Sequence, residues 1–186
     1  MHILYGAFMK AFKLFLLLVM ITGGLYPLLV NLAANFLFPF QANGSVLQKD
    51  NQIIGSLLIA QDFQKNIYFH PRPSFCNFNT TPSFGSNYGP TSKQLVDATI
   101  ERRNKFANSY VPSDLLFTSA SGLDPHISIE AAFIQINRIA LARSIDERYL
   151  KRLVLQEKVR GLGFSSSTYV NVLNLNLKLD KEFPLK

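Results

Sequence analysis

The stretch LFLLLVMITGGLYPLLVNLAA, residues 14–34, contains no Asp, Glu, Lys, Arg or His. Twelve of its twenty-one residues are Leu, Ile, Val or Phe. As an α-helix it rises about 32 Å, enough for a hydrocarbon core about 30 Å thick. At roughly −0.3 to −0.6 kcal/mol each, the twelve favour the bilayer by about 4–7 kcal/mol, which outweighs the smaller penalties of Asn31, Pro27 and Gly23-Gly24. A transmembrane helix is expected. A cleavable signal peptide is the rival reading, since Ala33-Ala34 imitates its small-residue cut, but its apolar region spans only about 7–15 residues. A buried core helix fits so long an uncharged run less well. Pro27 is tolerated where neighbouring groups satisfy the carbonyl it frees. Gly23 and Gly24, beside Thr22, clear one sector for close approach and are a candidate membrane-helix contact.

Lys10 and Lys13 precede the span, and the next charge is Lys49. The positive-inside rule then places residues 1–13 in the cytoplasm, 14–34 in the membrane, and 35–186 outside as one extracytoplasmic domain. The chain carries +7, and without the two lysines the exported part carries +5. Outside the cytoplasm this excludes nucleic acid as a partner and fits a membrane surface or an acidic protein. Cys76 is the only cysteine, so no internal disulfide forms. Packing must hold the domain, and sixteen Phe with seven Tyr supply the material.

Residues 36–45, FLFPFQANGS, read as an interfacial aromatic segment ending in an Asn43-Gly44 turn. Residues 52–61, QIIGSLLIAQ, read as β structure broken at Gly55-Ser56. Residues 62–91 combine Pro and Gly with Phe63, Tyr68, Phe69, Phe75, Phe78, Phe84 and Tyr88, a long irregular binding loop rather than a disordered linker. Thr91 and Gln94 form a capping-box pattern opening a helix to about residue 107 with Leu95, Val96, Thr99 and Ile100 on one face. Residues 119–128, SASGLDPHIS, read as loop. Ser128 caps a second helix with Ala132, Phe133, Ile136, Ile139 and Ala140 inside. A third helix, about 146–158, is expected to bury Tyr149, Leu150, Leu153 and Val154 and to end at Gly161-Leu162-Gly163. Leu173, Leu175, Leu177 and Leu179 alternate with Asn174, Asn176 and Lys178, the period of a half-buried strand. The expected fold class is α+β: one N-terminal transmembrane helix, then a domain of about three helices and a small sheet.

The chain resembles the C-subunit family of the Kdp potassium-transporting ATPase over nearly its whole length. The carriers are YPLLVNLAANFLFPFQANGS (26–45), GSLLIAQDF (55–63), YFHPRPS (68–74), GSNYGPT (85–91), SASGLDPHIS (119–128) and VNVLNLNLKLD (170–180). The motif positions are Gly85, Asn87, Gly89, Pro90, Ser121, Gly122, Asp124, Pro125 and His126. Departures are Ala60 where the family usually has Gly, Pro71 in YFHGRPS, and a Ser-rich 164–169 in place of a Gly-Glu-Pro-Arg-like turn. The resemblance implies an accessory subunit of ATP-driven potassium uptake. It also implies a channel-like potassium-binding subunit, a P-type ATPase subunit and a small single-span subunit as partners, and the role of a catalytic chaperone that raises the ATP affinity of the hydrolytic subunit. It makes Gln135 a candidate nucleotide-binding residue.

The residues themselves point to no independent catalysis. His70 with Arg72, and Asp124 with His126, carry acid–base chemistry, but no His, Cys and Glu set has tetrahedral metal-ligand spacing. Asp124 before Pro125 reads as a turn ahead of the Ser128 cap. Ser119 and Ser121 lack the strand-turn-helix setting of a hydrolase nucleophile. Residues 85–89 only imitate a phosphate loop. Arg138, Arg143, Arg148, Lys151, Arg152, Lys158 and Arg160 are expected as a solvated, partner-facing or lipid-facing surface. No cofactor is expected on this chain, and ATP enters only through the ATPase subunit. The positional expectation is that the loop 62–91 and the block 119–128 cover the outer mouth of the channel-like subunit. An unrelated single-pass envelope enzyme and an anchored binding module are the competing readings.

Overall fold

The computed structural model describes residues 2–49, 51–106, 110–161 and 167–184. It divides into two compact units, Met1–Val46 and Leu47–Lys186.

The first unit is helical. Helix α1 (His2–Met20) runs into a five-residue π-helical turn, Ile21–Leu25, then α2 (Tyr26–Leu37) and the short α3 (Pro39–Ala42). The segment Tyr5–Leu37 is one helix of 33 residues, mean hydropathy 2.0, long and apolar enough to cross a membrane and with no part buried in the protein. It extends beyond the expected span at both ends, so Lys10 and Lys13 ride on the helix. The wide turn has a cause in the sequence. Pro27 has no N–H and its ring crowds the carbonyl four residues back, that of Gly23. The backbone relieves this one turn earlier: Tyr26 N–H reaches back five residues to Ile21 O, and Thr22 Oγ1 donates to Leu18 O at 2.8 Å. Phe38 leaves helical geometry at φ −137°, as a residue before proline does. The Asn43-Gly44 turn forms as expected, with Gly44 at φ 77°.

After the helical segment the chain pairs β1 (Val46–Lys49) with β2 (Gln52–Ser56). It then runs irregularly to α4 (Lys93–Arg103) and α5 (Ser113–Leu116). The remaining elements are β3 (His126–Ser128), α6 (Ile129–Arg143), α7 (Glu147–Gln156), β4 (Val159–Arg160), β5 (Thr168–Asn171) and α8 (Val172–Glu182). The sheet order is β3-β5-β4, all antiparallel, with Ile127 opposite Val170 and Val159 opposite Tyr169. The core joins Ile136 and Ile139 of α6, Leu150, Leu153 and Val154 of α7, Val170 of β5 and Leu175 and Leu179 of α8. Phe69, from the irregular loop, is fully buried among them. The class is α+β.

Several local expectations change. Ser92 rather than Thr91 is the N-cap of α4, and its hydroxyl donates to Gln94 Oε1 at 2.8 Å instead of capping an N–H. The helix stops at Arg103, and residue 107 lies outside the described residues. Val96 and Ile100 are about half exposed, because α4 buries no residue. Residues 126–128 are strand rather than loop, since β5 supplies a ladder partner that is remote in sequence. Ser128 caps α6 as expected, accepting from Ala131 N at 3.1 Å, but Phe133 and Tyr149 point outward. Helix α7 ends at Gln156, ahead of β4, and Gly163 lies outside the described residues, as do 164–166 of the Ser-rich departure.

The largest correction is the C-terminal segment. Residues 173–179 are helix, not strand. Val172, Leu175, Asn176 and Leu179 are buried at spacings of three and four, a helical face hidden inside a period-two pattern. Asn171 caps the helix, accepting from Asn174 N at 3.1 Å. The described part of this unit thus has four helices longer than one turn, where about three were expected.

Candidate functional site

The segment 68–74, YFHPRPS, is held by side chains from two helices. Asn176 of α8 accepts from Phe69 N at 2.8 Å and donates to Phe69 O at 2.9 Å. Gln135 of α6 accepts from His70 N at 2.7 Å and donates to His70 O at 3.2 Å. Each amide pairs with one residue's N–H and C=O as a neighbouring strand would, so the segment has its hydrogen bonds without a sheet. Both amides are almost wholly buried. Gln135 is further engaged by Ala131 O at 3.2 Å and by Arg138 Nη2 at 2.8 Å.

Two arginines complete the frame. Arg138 donates to Asn66 O at 2.6 Å and to Tyr68 O at 2.9 Å. Its partial burial pulls its pKa below the usual arginine value. Arg143, with only 2% of its side chain exposed, reaches Ile67 O, Phe183 O and Asp180 Oδ1 at 2.7, 3.0 and 2.6 Å. Tyr68 lies under the Arg143 guanidinium and donates to Asp180 Oδ2 at 2.9 Å. Burial, then the bond to Asp180, raises the Tyr68 hydroxyl. These two arginines, expected on a solvated or partner-facing surface, instead bind the protein's own loop. Arg148 and Lys151 do sit on the surface, each beside a carboxylate.

Arg72 binds Asp124 Oδ2 at 2.9 Å. Asp124 Oδ1 accepts from His126 N at 3.0 Å and lies 3.2 Å from His126 Nδ1, and the imidazole meets the Tyr169 ring edge to face. Burial alone would raise the Asp124 carboxyl, but the bonds from His126 and Arg72 outweigh it and hold the pKa below the usual range. Arg72 and Asp124 thereby join the loop to the 119–128 block. This group borders a cavity of about 670 Å³ that also takes in Asp114 and Tyr169. Burial and the neighbouring Arg138 charge lower the His70 pKa, so its imidazole is neutral at pH 7.

The glycines of the motif divide into two kinds. A Cβ on Gly85 would stand 2.6 Å from Ala120 O, and one on Gly122, at φ 72°, would stand 2.7 Å from Cys76 Sγ and 2.9 Å from Phe84 O. Both are needed where the loop lies on the 119–128 block. Gly89 has nothing within 4 Å of such a Cβ, and Asn87, Tyr88, Gly89 and Pro90 are exposed. Phe75 packs edge-on against Phe84 and Tyr88, with centroids 5.8 and 5.7 Å away, yet all three rings stay about 40% exposed. Pro125 is buried and its carbonyl accepts from Val172 N at 2.9 Å. Ser121 Oγ accepts from Leu123 N at 3.1 Å and Ser119 Oγ from Asp124 N at 3.4 Å, both turn-stabilising bonds. Gly23 and Gly24 lie on the wide turn of the N-terminal helix, in open space.

The structure therefore brings Gly85, Gly122, Asp124 and His126 to the seam between loop and block. Gln135 lies behind the loop, and Asn87, Gly89 and Pro90 lie outside on the surface. Among the described residues no group of three His, Cys, Asp or Glu side chains forms a metal-binding set. The residues that sequence reasoning missed are Asn176 and the Tyr68–Asp180–Arg143 cluster. The signal for Asn176 was a polar residue at helical spacing among Val172, Leu175 and Leu179.

A family model described as KdpC, the K+-transporting ATPase c chain, matches residues 8–181. The potassium-transporting ATPase KdpC subunit of Bradyrhizobium diazoefficiens is 45% identical over 92% of this chain and 94% of its own. That of Rhodospirillum rubrum is 46% identical over 94% of this chain and 95% of its own. That of Mycobacterium bovis is 43% identical, covering 93% and 97%. This chain belongs to the KdpC family, the c chain of the K+-transporting ATPase.

Proposed function

We propose that this chain is a non-catalytic accessory subunit of an ATP-driven potassium importer, anchored by Tyr5–Leu37 with its C-terminal unit outside the cytoplasm. Lys10 and Lys13 near the first end of the span, and no further charge before Lys49, support that orientation. The partners are a channel-like potassium-binding subunit, a P-type ATPase subunit and a small single-span subunit. The Gly23-Gly24 turn, free of side-chain bulk, is the candidate contact with the channel-like subunit.

The observation that carries this reading is the exposed ring cluster Phe75–Phe84–Tyr88 beside Asn87, Gly89 and Pro90. Its base is immobilised by Gly85 against Ala120 and Gly122 against Cys76. Aromatic rings left in water on a rigid base suit a protein partner better than they suit stability. This surface covers the outer mouth of the channel-like subunit and so stabilises the assembly. In the role of catalytic chaperone, assembly raises the ATP affinity of the hydrolytic subunit, and ATP meets the complex there rather than on this chain. The use of every polar atom of Gln135 within the fold supports that division of labour.

The test is purification of the transporter with and without this chain. Loss of potassium-stimulated ATP hydrolysis, or a higher KM for ATP, on its omission is expected, with the full chain alone neither hydrolysing nor binding labelled ATP. Nucleotide binding abolished by Gln135→Ala would transfer the ATP role to this chain. Gly23→Leu with Gly24→Leu is expected to release the chain from the complex.

A further inference from the structure

Helix α7 turns a basic face outward and continues it into β4. Arg148, Lys151, Arg152 and Leu155 share one side of the helix at spacings of three and four, and all are exposed. Lys158, Val159 and Arg160 follow directly, also exposed, and β4 is an edge of its three-stranded sheet. The other side of α7 carries Leu150, Leu153 and Val154 into the core. Three carboxylates accompany these cations, and each is already engaged. Asp146 binds Arg148 at 2.7 Å. Glu147 lies 3.5 Å from Lys151 and accepts from Asn137 Nδ2 at 3.0 Å. Glu157 faces α8, where Asn174 Nδ2 and Lys178 Nζ donate to it. Arg152, Lys158 and Arg160 meet no carboxylate among the described residues. Arg152 lies over the Tyr149 ring instead, 5.8 Å from its centroid, and Tyr149, Leu155 and Val159 are about half exposed. Uncompensated cations interleaved with exposed apolar and aromatic side chains match the boundary between water and anionic headgroups.

We propose that the α7–β4 face docks on an anionic phospholipid surface, the membrane that holds the chain's own N-terminal helix. Arg152, Lys158 and Arg160 meet headgroup phosphates, and Leu155 lies among the headgroups beside them. The chain supplies that surface itself: Tyr5–Leu37 is long and apolar enough to cross a membrane, and only residues 38–46 separate it from Leu47, where the second compact unit begins. So short a tether keeps the headgroups at high effective concentration, and a face of three free cations suffices where an untethered protein would need more. The convex flank of a helix also suits a flat, deformable sheet of phosphates, whereas an acidic protein would have to be shaped to it. The proposal rests on the reading of Tyr5–Leu37 as a membrane span. It holds whichever side of the membrane the second unit occupies, and it leaves the ring cluster Phe75–Phe84–Tyr88 to its protein partner.

The test uses the full chain, purified with the other transporter subunits and placed in lipid nanodiscs. A photo-crosslinking residue at 155 is expected to yield lipid adducts in discs containing phosphatidylglycerol, and few in discs of phosphatidylcholine alone. One at 96, an equally exposed apolar position of α4, should yield none in either. Salt at about 1 M, where the screening length falls to about 3 Å, should remove the adducts at 155. Each cation lost should weaken the contact about fivefold, so Arg152→Gln with Lys158→Gln and Arg160→Gln should abolish them, with the denaturation midpoint unchanged. Arg152→Lys with Arg160→Lys keeps the charge and should keep the adducts. Equal adducts in both kinds of disc, adducts that survive salt and the triple variant, or adducts at 155 with another subunit overturn the proposal alone. A chain that fails to co-purify overturns the accessory-subunit reading, and the same adducts, read on the chain alone in discs, then decide the proposal. A chain that does not enter discs at all overturns the membrane span and the proposal with it.

Discussion

The side-chain amide of Gln135 pairs with the N–H and the C=O of His70 at 2.7 and 3.2 Å, as a neighbouring β-strand would. One residue earlier Asn176 does the same for Phe69. A loop otherwise without secondary structure is thereby held at two consecutive residues. Removal of Gln135 leaves the His70 N–H and C=O and the Arg138 guanidinium short of partners. Gln135→Ala is therefore expected to destabilise the protein by about 2–4 kcal/mol. The denaturation midpoint of the full chain in detergent measures this, and a change under about 0.5 kcal/mol would place the loop's support elsewhere.

Asn176→Leu conserves volume yet strands two backbone groups of Phe69 in the core, where water does not reach. A loss of about 2–4 kcal/mol is expected, despite a gain in side-chain hydrophobicity. If the substitution were neutral or stabilising, the amide clamp would carry no net energy. The same midpoint measurement decides.

The motif glycines are expected to separate by phenotype. Gly122→Ala meets Cys76 Sγ and Phe84 O at φ 72°, and Gly85→Ala meets a backbone carbonyl. Each should cost about 1–3 kcal/mol in stability. Gly89→Ala has open space around it and should leave the midpoint within about 0.5 kcal/mol. A defect of Gly89→Ala in complex assembly at normal stability would mark it as a partner contact, and a drop in its midpoint would count against that assignment.

Asp124 has a folded-state pKa below its unfolded value. Its ionised form therefore adds stability that is complete above about pH 4, the ordinary carboxylate pKa, and fades as the pH falls through the lower folded value. Asp124→Asn should lower the midpoint at pH 7 and flatten the acid limb of a stability–pH curve, both traced to lost bonds from Arg72 and His126. Parallel acid limbs for the two proteins would show that other carboxylates dominate.

Much of the molecule was legible locally. The apolar run 14–34 needed only length and charge, because a bilayer acts on each residue independently. Ser128 was readable as the cap of α6 and Asn43-Gly44 as a turn, since capping and turn chemistry are properties of a few adjacent residues. The π-helical turn followed less directly: Pro27 announced trouble, but where the backbone would absorb it depended on Thr22 and the two glycines. The KdpC membership was readable from six ordered blocks, whereas the division of its motif into buried seam and exposed surface was not.

The sequence by itself determined the membrane-competent helix, the α+β class, the main helix α6 and the irregular character of residues 62–91. Each follows from composition, periodicity or backbone chemistry within about one helical turn. Only the tertiary structure decided that 173–179 is helix, because Leu at every second position satisfies a strand and, in part, a helix. The choice fell to the core, which takes Val172, Leu175 and Leu179 on one side and needs Asn176 there to hold Phe69. It likewise decided that Arg138 and Arg143 face inward. A guanidinium reads as surface until distant carbonyls, here those of residues 66–68, are brought within hydrogen-bonding distance.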